Sequence, residues 1–134
     1  MNSNRKLKDS LSNLRDTVNK LKKALDIPKD RELVVEGTIQ RFEYVVELLW
    51  KTLRRALKYE GVVLQPDTPR EVMVQGFAVG WLHDEVVWQE LLDMRNKTSH
   101  EYLDEQFIED HYDDIKRLAP DIEKVLKFLE ERYK

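Results

Sequence analysis

Apolar residues Leu7, Leu11, Leu14, Val18, Leu21 and Leu25 recur at alternating spacings of four and three, the pattern of a helix laid along one seam. It predicts a first helix over 3–25, ended by Asp26-Ile27-Pro28, because proline disfavours helical geometry in the residue before it. Val35, Ile39, Phe42, Val46, Leu49, Leu53 and Ala56 repeat the seam as far as Tyr59-Glu60, with Gly61 as the stop. Helices one and two are expected to pair antiparallel across the short Pro28 turn. Residues 62–67 read as a connector, and Thr68-Pro69-Arg70-Glu71 as a helix start with a cap, a proline at the first position and a capping box. That short third helix is expected to reach about Val79, where Gly80 closes it. Asp84 is expected to cap a fourth helix whose apolar residues Val87, Trp88, Leu91, Leu92 and Met94 lead into Arg95.

After Asp104, a further expected cap, the residues Ile108, Tyr112, Ile115, Ala119, Ile122, Leu126, Leu129 and Tyr133 keep the same alternation without a phase break. Pro120 removes a hydrogen bond but not the stripe, so a kinked helix or two nearly collinear ones are expected. The fold class that follows is all-α: one domain over 1–134, an antiparallel up-and-down four-helix bundle with an additional short helix packed across one side.

Composition supports this reading, with 41% hydrophobic and 37% charged residues and only 4 Gly and 4 Pro. No cysteine is present, which excludes a disulfide scaffold and a thiolate site and is compatible with the cytoplasm, the expected location. No apolar run approaches the ~18 residues of a membrane span, and the polar first residues do not resemble a signal peptide; a soluble protein is expected. The net charge of −3 identifies no partner, but its distribution is uneven. Residues 1–25 hold seven basic and two acidic side chains, whereas 104–134 hold ten acidic and six basic. A basic first helix suits nucleic acid or an acidic partner, and a solvated face explains it as well.

The chemistry concentrates in Arg95-Asn96-Lys97-Thr98-Ser99-His100-Glu101-Tyr102, where a fixed cation, a proton-transfer group and a phenol fall within eight residues. Arginine offers phosphate a permanently charged planar fork, and histidine near neutral pH gives or takes a proton. Together they can cleave RNA without a metal: a histidine can deprotonate the ribose 2′-hydroxyl or protonate the leaving oxygen, while an arginine stabilises charge building on the phosphate. On a continuing helix Trp88, Leu92, Arg95, Ser99 and Tyr102 share one stripe that begins as core, and His100 lies well around from Arg95. The two converge only if the helix ends near Ser99 or a second copy supplies the missing half. The plainer alternative is an arginine snorkelling at a bundle edge and a surface histidine capping a helix end.

The joint pattern Arg95-Asn96, Ser99-His100, Tyr102, Asp104-Glu105, with Arg41-Phe42-Glu43-Tyr44, Glu47, Trp50-Lys51, Pro69-Arg70-Glu71-Val72, Gly80 and Trp88 upstream, resembles the HEPN family over residues 35 to 105. The resemblance is specifically to the helical partner of a minimal nucleotidyltransferase in two-gene bacterial and archaeal modules. It implies a homodimeric toxin-like ribonuclease that places Arg-x4–6-His motifs from two subunits in one cleft, with Arg95 binding phosphate, His100 as acid–base residue and Asn96 orienting either. In some such modules the nucleotidyltransferase attaches AMP to the tyrosine of the motif, which implies a modification site at Tyr102. Proteins similar to this one also serve as substrate-binding subunits of two-component nucleotidyltransferases, in which case the cleft binds a nucleotide or other substrate and does no chemistry.

Lys51, Arg54, Arg55 and Lys58 share one helical face near the end of helix two and are candidate contacts to an RNA backbone, although cations are also favoured at helix C-termini. His111, among Glu109, Asp110, Asp113 and Asp114, has no second histidine at helical spacing, so no metal site is expected, and no cofactor. His83 is placed at a turn, and Trp50, Trp81 and Trp88 in the core or an interface. The chain has no Gly-rich phosphate loop, no nucleotidyltransferase-type Gly-Ser and aspartate set and no nucleophile elbow, so it is not itself the nucleotidyltransferase.

Overall fold

The computed structural model describes residues 2–98 and 105–134, with the backbone alone for Asn2, Ser3 and Thr98. Among the described residues five helices follow one another: α1 (Asn2–Asp26), α2 (Val34–Tyr59), α3 (Pro69–Ala78), α4 (Glu85–Thr98) and α5 (Glu105–Arg132). The three long helices carry the apolar seams read from the sequence, and those seams are what they bury. Leu7, Leu11, Leu14, Val18 and Leu21 of α1 face Ile39, Phe42, Val46, Leu49 and Leu53 of α2 and Ile115, Ile122, Leu126 and Leu129 of α5 in one continuous core. α1 and α2 form the most extensive pair, α5 packs on both, and α3 and α4 lie against each other and against α2. Pro120 sits inside α5 without dividing it.

The helix ends follow local chemistry. Gly61 and Gly80 take left-handed backbone, φ 84° and 83°, as the closing glycines of α2 and α3. The Thr68 hydroxyl accepts from the Glu71 N–H at 3.3 Å. The reciprocal half of the expected capping box is absent: the Thr68 N–H donates to the Pro66 carbonyl at 3.0 Å, and the Glu71 carboxylate accepts instead from Gln75, one turn on, at 2.8 Å. Asp84 caps α4 by accepting from the Val86 N–H at 3.0 Å. Gly76 permits the tight return after α3, for a Cβ there would stand 2.9 Å from the Leu82 side chain while its carbonyl accepts from Trp81 and Leu82.

One charged cluster ties α1 to α5. Arg15 donates to both oxygens of Glu123 at 2.8 and 2.7 Å and to both of Glu130 at 3.0 and 2.7 Å, a bidentate geometry stronger than single exposed pairs. The Arg15 hydrogen bonds, aided by Lys22, hold the Glu123 carboxyl down at about 2. His111 is the exception inside the core: 3% exposed, edge-on to Phe42 at 5.7 Å and tilted against Phe107 at 5.3 Å, with no hydrogen-bond partner at Nε2 among the described residues. Burial pushes its pKa below the ordinary histidine value, Lys97 adds to this, and Asp114 opposes it.

Candidate functional site

The stripe along α4 starts in the core, where Trp88, Leu91 and Leu92 are buried, and emerges at Arg95 in the last turn. At that point α4 lies against α2, and a partner stands opposite. Arg95 Nη1 donates to Glu47 Oε2 at 2.5 Å, while Nη2 donates to Asn96 Oδ1 at 3.1 Å. The other oxygen of Glu47 faces Lys51 Nζ at 3.2 Å, so one carboxylate divides itself between two cations. Partial burial pushes the Glu47 carboxyl up, but Lys51, Trp50 and Arg95 outweigh it and hold it below its usual range. The Trp50 indole acts there through proximity, since its Nε1 makes no hydrogen bond of good geometry among the described residues. The guanidinium is thus oriented by a carboxylate and an amide at the mouth of the α2–α4 seam, its side chain 25% exposed. Asn96, which the resemblance implies orients either Arg95 or His100, accepts from Arg95 here.

The basic face of α2 is less available than its sequence implies. Arg54 reaches both oxygens of Asp67 at 2.7 and 2.6 Å, and Lys58 adds a third contact at 2.8 Å. These hydrogen bonds, Arg54 first and Lys58 second, hold the Asp67 carboxyl well below the ordinary range. Two of the four candidate cations therefore fasten the connector before α3 to α2, and Lys51 belongs to the Glu47 pair. Arg55 is exposed, with no ion pair among the described residues.

His100 and Tyr102 lie outside the described residues, as do Ser99 and Asp104. His83 is in the exposed loop before α4, and Trp81 and Trp88 are buried while Trp50 packs on the core, as their sequence reading had them. His111, for which the sequence reading expected only that it holds no metal, turns into the core. Among the described residues no group of three or more His, Asp or Glu is placed to hold a metal ion, and no helix is long and apolar enough to cross a membrane. Glu47 and Asp67 are what sequence reasoning missed. Glu47 entered only as a letter of the family pattern, and nothing local signals a pairing across 48 positions.

The family model described as nucleotidyltransferase substrate binding protein like matches residues 5–131. The chain belongs to this family. The match takes in α1 and nearly all of α5, so this substrate-binding-protein-like family accounts for the whole bundle and not only for the segment around Arg95. The chain is 29% identical over 79 residues to the probable ribonuclease HepT of Haemophilus influenzae, across 57% of its own length and 54% of that protein, so the match spans about half of this curated relative. A crystal structure of a Thermus thermophilus protein superposes with a TM-score of 0.78 at 27% identity, covering 87% of this chain and 98% of that one. A Haemophilus influenzae structure described as revealing the fold of a substrate binding domain of a nucleotidyltransferase superposes at 0.65 with 24% identity, over 95% and 98%. That last likeness shows the fold alone. The resemblance to the helical partners of nucleotidyltransferases and the all-α bundle read from the sequence are both borne out.

Proposed function

We propose that this chain is the HEPN-type toxin subunit of a two-component toxin–antitoxin module with a minimal nucleotidyltransferase, and that it cuts RNA as a homodimer without a metal. The observation that carries the reading is the placement of Arg95: its guanidinium is fixed by Glu47 and Asn96 at the end of α4, five residues before His100. A pre-oriented cation beside a proton-transfer group is what phosphodiester cleavage needs, since charge builds on the phosphate oxygens as the bond breaks. His100 takes the proton of the ribose 2′-hydroxyl, the 2′-oxygen attacks phosphorus, and the 5′-oxygen leaves with a proton from His100 of the second copy. The similarity to a probable ribonuclease supports this reading. The cytoplasm, where RNA and the nucleotidyltransferase partner meet, is the compartment it requires.

A second reading has an observation of its own. Arg95 already engages a carboxylate, so the site also suits exchange of Glu47 for the phosphate of a nucleotide, as in a non-catalytic substrate-binding subunit; the family description supports that role. Growth on induced expression separates the two. Wild type alone is expected to slow growth, Arg95→Ala and His100→Ala to restore it with equal protein levels, and co-expression of the cognate nucleotidyltransferase to relieve it. Normal growth with abundant folded wild type would favour the substrate-binding reading.

A further inference from the structure

We propose that the cavity between the loop after α3 and the middle of α5 is a binding site for a small zwitterionic aromatic molecule, of the chemistry of an aromatic α-amino acid. The cavity has a volume of about 290 Å³, at the low end for ligand pockets and suited to one ring system with a short polar tail. Its apolar surface comes from Trp81, Trp88 and Phe128, backed by Val87 and Val125. Trp81 is a held wall: its backbone N–H donates to the Gly76 carbonyl at 2.9 Å, and the Arg132 guanidinium lies 5.3 Å from its ring centroid. Phe128 stands 6.2 Å away at a 53° tilt and is 41% exposed, an unusual position for a phenyl ring on an otherwise charged helix face. The two rings form a tilted pair that, with Trp88, lines the cavity with aromatic surface on which a further ring can pack by offset or edge contact.

The polar groups decide the ligand class. Asp121 and Lys124 both line the cavity from α5, one turn apart, and neither forms an ion pair with any described residue. Opposite charges at this spacing, roughly 5–6 Å between Cβ atoms, match an ammonium and a carboxylate carried on a single carbon. A nucleotide fits less well, because its base edge and phosphate stand too far apart to meet both groups while the base packs on the aromatic lining. On the opposite side Asp84 is engaged in capping α4, and His83 stands exposed at the rim. This site is separate from Arg95 and independent of the ribonuclease reading.

The test uses the full chain with L-phenylalanine as probe, followed by calorimetry and by tryptophan fluorescence, since two of the three tryptophans line the cavity. Saturable binding is expected with a dissociation constant on the order of 0.1–1 mM, the range open to a ligand of this size. Phenethylamine and phenylpropionate, each lacking one charge, are expected to bind at least about tenfold more weakly. Phe128→Ala, at an exposed position, and Asp121→Asn are each expected to weaken binding about tenfold with the melting temperature little changed. Absence of saturation at 10 mM, equal binding of phenethylamine, preference for AMP, or undiminished binding in both variants would each overturn the proposal.

Discussion

Arg95 donates to Glu47 across the seam between α4 and α2, and through Glu47 it is coupled to Lys51 on the next turn of α2. The guanidinium that the motif supplies is therefore aimed by a helix that contributes none of the motif. On the proposed ribonuclease reading, Glu47 has two effects of opposite sign on an anionic substrate: it orients Arg95, and it competes for it. Those effects fall on different kinetic constants.

Glu47→Ala is accordingly expected to lower kcat for RNA cleavage about 10- to 100-fold while KM stays level or falls, because orientation is lost together with the competing charge. Lys51→Ala, which leaves the Arg95 contact in place, should change kcat less than about threefold. Steady-state kinetics on a short single-stranded RNA checks both; a rise in KM at unchanged kcat for Glu47→Ala would remove it from the site.

Arg54 and Lys58 are held by Asp67, so they are expected to contribute little to the proposed RNA binding as long as that carboxylate is present. Asp67→Asn releases them. Each freed cation that reaches a single-stranded backbone adds about 0.7 to the slope of log affinity against log salt concentration. The variant is expected to bind RNA several-fold more tightly at low salt, with a slope steeper by about 1. An unchanged slope would mean that this face of α2 meets no phosphate.

His111 sets a pH dependence of stability. Its folded pKa lies below the unfolded value, so as pH falls below about 6.5 the unfolded state takes up the proton first and stability is lost, by at most about 1.4 kcal/mol per pH unit. Its neighbours are Phe42 from α2, Phe107 and Asp114 on α5, and the charge of Lys97 from α4. His111→Phe fills the same space without the unpaired Nε2 and is expected to melt at least as high as wild type at pH 7 and clearly higher at pH 5.5. Parallel thermal melts at the two pH values check this, and identical pH profiles would rule out His111 as the source.

The helices were legible because each long one repeats a single four-three seam whose buried set matches the pattern almost residue for residue, from Leu7 to Leu21 and from Ile115 to Leu129. The closing glycines, the Thr68 cap and the Asp84 cap were legible too, since each depends on residues within one turn. The reciprocal capping box was not: Glu71 had a competing donor in Gln75, and a sequence pattern does not rank the two. The burial of His111 was not read from the sequence, because its charged neighbours Asp110 and Asp113 occupy the outer face of the helix while His111 points inward at Phe42. In the candidate site, Arg95 and Asn96 were read from the motif, and Glu47 as a partner was not. Ion pairs between helices are set by how the helices cross, which the period of apolar residues leaves open.

Tyr102, two residues after His100, carries the expected regulation. Co-expression with the cognate nucleotidyltransferase is expected to add AMP to Tyr102 and suppress cleavage, because the adduct's phosphate competes with RNA for Arg95. Intact-mass measurement should show AMP-sized additions that vanish in Tyr102→Phe; additions that persist in that variant would place the modification elsewhere.

The most direct measurement is cleavage of single-stranded RNA by the purified chain in the presence of a chelator, with analysis of the new ends. The expected result is cutting by wild type that leaves 2′,3′-cyclic phosphate and 5′-hydroxyl ends, reduced roughly 10²–10⁴-fold by Arg95→Ala and by His100→Ala at unchanged melting temperature. Folded, dimeric wild type that leaves RNA intact, or cutting that survives both substitutions, would contradict it.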